Sequence, residues 1–96
     1  MARYIAGIVR EEDGSGYSAY IPDIPEVCAG GKTPDEALFY ASEGLKVALR
    51  NRAETGLGLP SPCGLEEARA RVRAERALDG LPFPEDSLFR SLEVAV

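Results

Sequence analysis

Residues 16–38, GYSAYIPDIPEVCAGGKTPDEAL, decide how this chain folds. Tyr17, Ala19 and Ile21 alternate with Ser18 and Tyr20, the period of a strand with one buried face. Pro22-Asp23-Ile24-Pro25 then stops the ladder, because proline lacks a backbone donor and fixes φ. Val27 to Ala29 form a short second run that ends at Gly30-Gly31. Thr33-Pro34-Asp35-Glu36 combines a capping hydroxyl, proline at the first helical position and a glutamate three residues after the cap, which starts a helix sharply.

Before this stretch, Arg3 to Glu12 reads as a first strand. Tyr4, Ala6 and Ile8 fall on one face and Ile5, Gly7 and Val9 on the other, so its middle is apolar on both sides, as a central strand requires. Asp13-Gly14-Ser15-Gly16 reads as a hairpin turn with glycines free to take positive φ. Three strands in an antiparallel meander follow.

After the stretch, the helix is expected over 34–54, ending before Gly56 and Gly58. Leu38, Ala41, Leu45, Ala48, Leu49 and Arg52 repeat at three or four and make a face for the sheet. Phe39, Tyr40 and Val47 lie outside that stripe. They imply a wider buried face, a cover by the C-terminal segment, or a subunit interface. Gly56 to Gly64 is a linker, and Leu65 to Leu78 a second helix with a thin apolar stripe of Leu65, Ala68 and Val72. Beyond a loop over 79–84, Leu88, Arg90, Leu92, Val94 and Val96 alternate with Phe89, Ser91, Glu93 and Ala95, which predicts a strand. If it lies parallel beside the first strand, a right-handed crossover is expected. The expected fold is α/β, β-β-β-α-α-β: a three-stranded antiparallel meander plus a C-terminal strand, packed on helices as one domain over 1–96 with its core at 3–59.

A chain of 96 residues can bury one core with little margin. Apolar residues at 45% and charged ones at 28% are the proportions of an ordered soluble protein, which argues against global disorder. A net charge of −5 disfavours non-specific nucleic-acid binding by the whole surface and suits a basic partner. The sequence shows no membrane-length apolar run and no basic-then-apolar leader, so a cytoplasmic location is expected. Cys28 and Cys63 belong to no metal spacing, and each reads as a buried structural thiol.

The chain has no histidine, so nucleophilic pairs of serine or cysteine with histidine are excluded. Gly30-Gly31-Lys32-Thr33 resembles the end of a phosphate-binding loop, but that pattern needs glycine where Glu26 stands. Arg69, Arg71, Arg73 and Arg76 are interleaved with Glu66, Glu67 and Glu75, with Glu67 and Arg71 at helical i,i+4 spacing. They read as a solvated, self-paired helix rather than a nucleic-acid patch, since no aromatic residue interleaves them to stack on bases. No catalytic, metal-binding or cofactor-binding residues are expected.

The motifs G-Y-S-A-Y-I-P-D-I-P and A-G-G-K-T-P-D-E-A, at their spacing, resemble the HicB-like antitoxin family over about Tyr4 to Leu59. Glu26 departs from the glycine that the family often has after the second proline. The resemblance implies a partial ribonuclease H fold and a partner: a small basic, HicA-type toxin that cleaves messenger RNA and whose active site the antitoxin covers. The fold also implies the question of nuclease chemistry, which rests on carboxylates from the first strand, first helix and fourth strand. Tyr4 to Val9 contains no acid, leaving only Glu43 and Glu93. Relatives often append a ribbon-helix-helix or helix-turn-helix module, whereas the segment after Leu59 reads as loop, helix and strand, which puts operator-DNA binding in doubt. An orphan oligomeric domain and a vestigial nuclease are the alternatives. Tyr20, Pro22, Asp23, Pro25 and Glu26 are the candidate partner-binding residues, an aromatic, two carboxylates and two rigidifying prolines on a turn presented by the sheet. The second helix patch and the alternating last strand, which leaves a sheet edge to be paired, predict a homodimer or higher oligomer.

Overall fold

The computed structural model describes residues 1–95. Strand β1 (Ala2–Arg10), β2 (Tyr17–Tyr20) and β3 (Cys28–Gly31) precede helix α1 (Pro34–Thr55), helix α2 (Leu65–Leu78) and strand β4 (Leu88–Val94). The mixed α/β fold has one sheet of order β3-β2-β1-β4, with every neighbouring pair antiparallel. The meander is therefore as expected, and Gly14 and Gly16 at its first turn hold φ of 79° and 124°. The last strand does lie beside β1, but it runs antiparallel, from Ala2 opposite Val94 to Ile8 opposite Leu88. The right-handed crossover of a parallel pair does not arise, because α2 and the loop after it return the chain to the opposite end of β1. The alternation expected to continue to Val96 runs past the described residues.

The two-sided apolar pattern of β1 has its reason in a helix on each face. Tyr4, Ala6 and Ile8 join Ala19, Leu92 and Val94 in a core closed by Ala37, Ala41, Leu45, Ala48 and Leu49 of α1. The opposite face meets α2 through the buried Ala68 and Val72, with Val9 fully buried. A Cβ on Gly7 would stand 2.7 Å from the Phe89 ring and 3.2 Å from Val72, so β1 carries no side chain where α2 and β4 close over it. Leu65, expected in the α2 stripe, is exposed instead, and Arg76 takes the buried place two turns after Ala68.

Strand β3 includes the two glycines that the sequence reading treats as its end. A Cβ on Gly31 would come within 2.6 Å of the Ala37 backbone nitrogen, so the strand needs glycine to pass under the start of α1. That start is capped: Thr33 Oγ1 accepts from Glu36 N at 3.1 Å, and Glu36 Oε1 accepts from Lys32 N at 3.0 Å. Two of the helix's entry amides are thereby satisfied reciprocally. Thr33→Ala is expected to lose about 1 kcal/mol of stability. Urea denaturation checks this, and an unchanged midpoint would show that Glu36 alone holds the entry. At the other end Gly56, at φ 77°, donates its N–H to Arg52 O and terminates the helix.

Candidate partner-binding site

The turn between β2 and β3 is built on a period of three that the proline signal masks. Ile21, Ile24 and Val27 are all buried in the α1-side core, and consecutive turns close with Ile24 N donating to Ile21 O at 2.9 Å and Val27 N to Ile24 O at 3.0 Å. The apolar pins fix the turn to the core, and the two prolines limit its φ freedom. Residues between the pins are left to face neighbouring segments or solvent.

The five candidate residues differ in access, and their partners come from both faces of the sheet. Pro22 is buried, Tyr20 and Asp23 are half-buried, and Pro25 and Glu26 are exposed. Each polar member is held by an arginine from elsewhere in the chain. Arg71 donates to Asp23 Oδ1 at 3.0 Å and to Pro22 O at 2.7 Å, while Cys63 N donates to Asp23 Oδ2 at 3.0 Å. Arg52 grips Glu26 with two hydrogen bonds, at 2.7 and 2.9 Å, and these hold the Glu26 carboxyl below the ordinary carboxylate pKa. The Tyr20 hydroxyl accepts from Arg76 Nη1 at 3.1 Å. The turn is thus ordered before any partner arrives, which reduces the entropy cost of binding to it.

Arg52, Arg71 and Arg76 are the residues that sequence reasoning misses as parts of this site. Arg52 belongs to the expected sheet-facing stripe, but its guanidinium pairs with Glu26. The arginines of α2 are not all solvated and self-paired. Arg71 does pair with Glu67, at 3.6 Å, but its shorter contact is to Asp23. Arg76 is fully buried, with Nη1 and Nη2 on the Glu11 carboxylate at 2.9 and 3.1 Å and Nε on Pro82 O at 2.8 Å. Aromatic rings do reach this helix, from downstream: Arg69 lies 5.2 Å from the Phe83 ring centre and 5.7 Å from that of Phe89, and Arg73 lies 5.1 Å from Phe83. Glu85 pairs with both arginines.

The cysteines depart from expectation too. Cys28 is exposed on β3, and Cys63 is half-buried, its thiol pKa pushed up by burial and by the neighbouring Asp23. The two acids left for metal chemistry do not meet. Glu93 alternates with the core-facing Leu92 and Val94, lies on the sheet face away from α1, and pairs with Arg3 at 2.7 Å. Glu43 sits on the exposed side of α1 with Lys46 at 3.3 Å. Among the described residues no three of Cys, Asp and Glu gather as a metal-binding group. No helix among them is long and apolar enough to cross a membrane.

A four-stranded antiparallel sheet with a capped helix on one face and a shorter one on the other defines a class that matches known antitoxins. Residues 3–74 match the family model of the HicB-like antitoxin of bacterial toxin–antitoxin systems. The chain belongs to that family. Antitoxin HicB 2 of Photorhabdus laumondii subsp. laumondii is 37% identical over 67 residues, covering 70% of this chain and 48% of that protein. The chain thus spans about half the length of that curated relative.

Among solved structures, the N-terminal domain of Burkholderia pseudomallei antitoxin HicB is similar with a TM-score of 0.69 and 21% identity, covering 99% of this chain and 100% of that one. The crystal structure of the B. pseudomallei antitoxin HicB gives 0.67 and 23%, covering 98% of this chain and 64% of that one. A HicA3 and HicB3 toxin–antitoxin complex contains a chain with TM-score 0.61 and 22% identity, covering 99% of this chain and all of that one. These likenesses establish the shared fold.

Proposed function

We propose that this chain is a non-enzymatic antitoxin domain that binds a small basic, messenger-RNA-cleaving toxin of HicA type and neutralises it by covering its active site. The observation that carries the reading is the pre-ordered turn over 21–27, which presents exposed Pro25 and Glu26 beside Arg52 on a chain of net charge −5. The family's role in toxin–antitoxin systems supports it, as does the HicA3–HicB3 complex built on the same fold. An acidic surface speeds encounter with a cationic protein and makes association fall with salt. The reading places the chain in the cytoplasm, as a homodimer or higher oligomer. Residues 60–95 run helix then strand, not the strand, helix, helix order of a ribbon-helix-helix module.

The test is co-expression with the product of a short basic reading frame adjacent to this gene. Co-purification and rescue of growth are the expected results, with Glu26→Lys slowing association about tenfold at low salt and, because it sets a lysine beside Arg52, lowering the thermal midpoint slightly. Failure of both readouts, with both proteins folded, would leave an orphan oligomeric member of the family. Metal-dependent RNA cleavage by the pure protein, abolished in Glu93→Gln, would instead restore the nuclease reading.

A further inference from the structure

Phe39, Tyr40 and Val47 stand more than half exposed on α1, so neither a wider buried face nor the C-terminal segment takes them in. On the flank of α1 away from Tyr40 and Val47, the chain folds back over its own helix. Gly56 and Gly58, at φ of 77° and 75°, turn it out of α1, and Leu57 N donates to Arg52 O at 3.0 Å. Tyr4, itself buried in the core, holds the returning segment by donating its hydroxyl to Pro60 O at 2.7 Å. The result is a cavity of about 380 Å³. Its lining is Leu49 and Ala53 of α1, Leu59 of the returning segment, Ala95 just past β4, and the two cations Lys46 and Arg50.

We propose that this cavity binds a small amphiphilic carboxylate. The acyl chain lies against Leu49, Ala53, Leu59 and Ala95, and the head group sits between Lys46 and Arg50. Apolar walls with a few placed polar groups are the composition of a small-molecule site, and the volume falls in the range that such sites occupy. Leu49 gives the cavity a firm floor, since it is 3% exposed and packs in the main core.

The sign of the head group follows from the charges. A chain of net −5 lines this cavity with two cations and no acid. Lys46 and Arg50 stand one helical turn apart, so both can reach one anion. Lys46 shares its ammonium with Glu43 at 3.3 Å, but both side chains are about half open to water, and such a pair yields readily to a competing anion. Arg50 has no carboxylate within pairing distance among the described residues, although Glu54 stands one turn on. Its planar fork suits a carboxylate taken with two hydrogen bonds. A bare anion gains nothing from the walls and an uncharged chain nothing from the cations, so the ligand needs both halves. None of the six lining residues belongs to the turn over 21–27, and the inference stands independently of any toxin.

The experiment is calorimetric titration of the full chain with octanoate at low salt, with acetate and octanol as the two half-ligands. Octanoate is expected to bind once per chain, and affinity to rise about fourfold for each methylene added from butyrate upward. Arg50→Gln is expected to weaken octanoate about tenfold while leaving octanol unchanged. Ala53→Phe fills the cavity and is expected to abolish binding of both. Positions 50 and 53 are exposed, so the thermal midpoint of each variant should hold. Amide shifts of the isotope-labelled chain on adding octanoate should centre on residues 46–59 and 95. No binding of octanoate at millimolar concentration would overturn the proposal, as would octanol binding as tightly as octanoate. Shifts centred on Tyr40 and Val47, or binding that survives Ala53→Phe, would overturn it equally.

Discussion

Arg76→Met is expected to lose about 3–5 kcal/mol of folding stability, the usual result of removing one partner of a buried ion pair. Methionine keeps much of the length and apolar bulk but has no donors. The substitution leaves the Glu11 carboxylate with the Ser18 hydroxyl alone among the side-chain donors that hold it, and orphans Pro82 O. It also removes the donor to the Tyr20 hydroxyl, and with it one of the ties between α2 and the candidate site. Replacing both charges, as Arg76→Met with Glu11→Leu, is expected to recover most of the loss, since an apolar pair of similar volume carries no desolvated charge. Urea denaturation of the three proteins decides it. A single-variant loss below about 1 kcal/mol would mean that water replaces the guanidinium.

The same pair sets a pH dependence whose sign is fixed. The hydrogen bonds from Arg76 hold the Glu11 carboxyl below its ordinary value. A group with a depressed folded pKa contributes stability that is complete above its unfolded pKa and is lost as pH falls through the folded one. The difference between the unaltered protein and Arg76→Met should therefore be full at neutral pH and shrink on acidification below the ordinary glutamate range.

Leu45→Ala is expected to cost about 2–5 kcal/mol, as transfer and cavity effects add in a core that only partly collapses. Leu45 is completely buried in the middle of α1, with the sheet beneath it. A loss under about 0.5 kcal/mol would be irreconcilable with that register. Two positions along, Val47 points away from the sheet and stands exposed, and its truncation should leave folding stability nearly unchanged.

Periodicity and chain punctuation carried most of the fold. The alternation in 17–21, the turn glycines and the Thr33 cap each act over a few residues, so they can be read without knowing what lies opposite. The two-sided apolar pattern of β1 likewise foretold a strand covered on both faces. What local signals could not reach was pairing at a distance. Arg76 looked like one more solvated helix charge because its partner, Glu11, is 65 positions away. Asp23 and Glu26 looked free for the same reason, with Arg71 and Arg52 that hold them 48 and 26 positions on. The direction of β4 was equally hidden, because alternation specifies which residues face the core and not which way the strand runs. The exposed Cys28 shows the limit of composition: a thiol's usual burial says nothing about a strand that happens to be an edge.

The placement of β4 has a consequence for how the protein is made. The inner strand β1 leaves the ribosome well before one of its two neighbours, β4, with Arg3 bonding to Glu93 across a separation of 90 residues. At ordinary elongation rates that interval is roughly 5–20 s, long compared with hairpin formation. During it the meander and α1 can assemble, while one flank of β1 offers unpaired amides and carbonyls to any extended chain nearby. A nascent strand of another protein, or of the same message on a neighbouring ribosome, competes there with the chain's own β4. Slowing translation through the α2 segment lengthens that exposure, so codon usage over 65–78 bears on yield of the folded protein although it alters no residue.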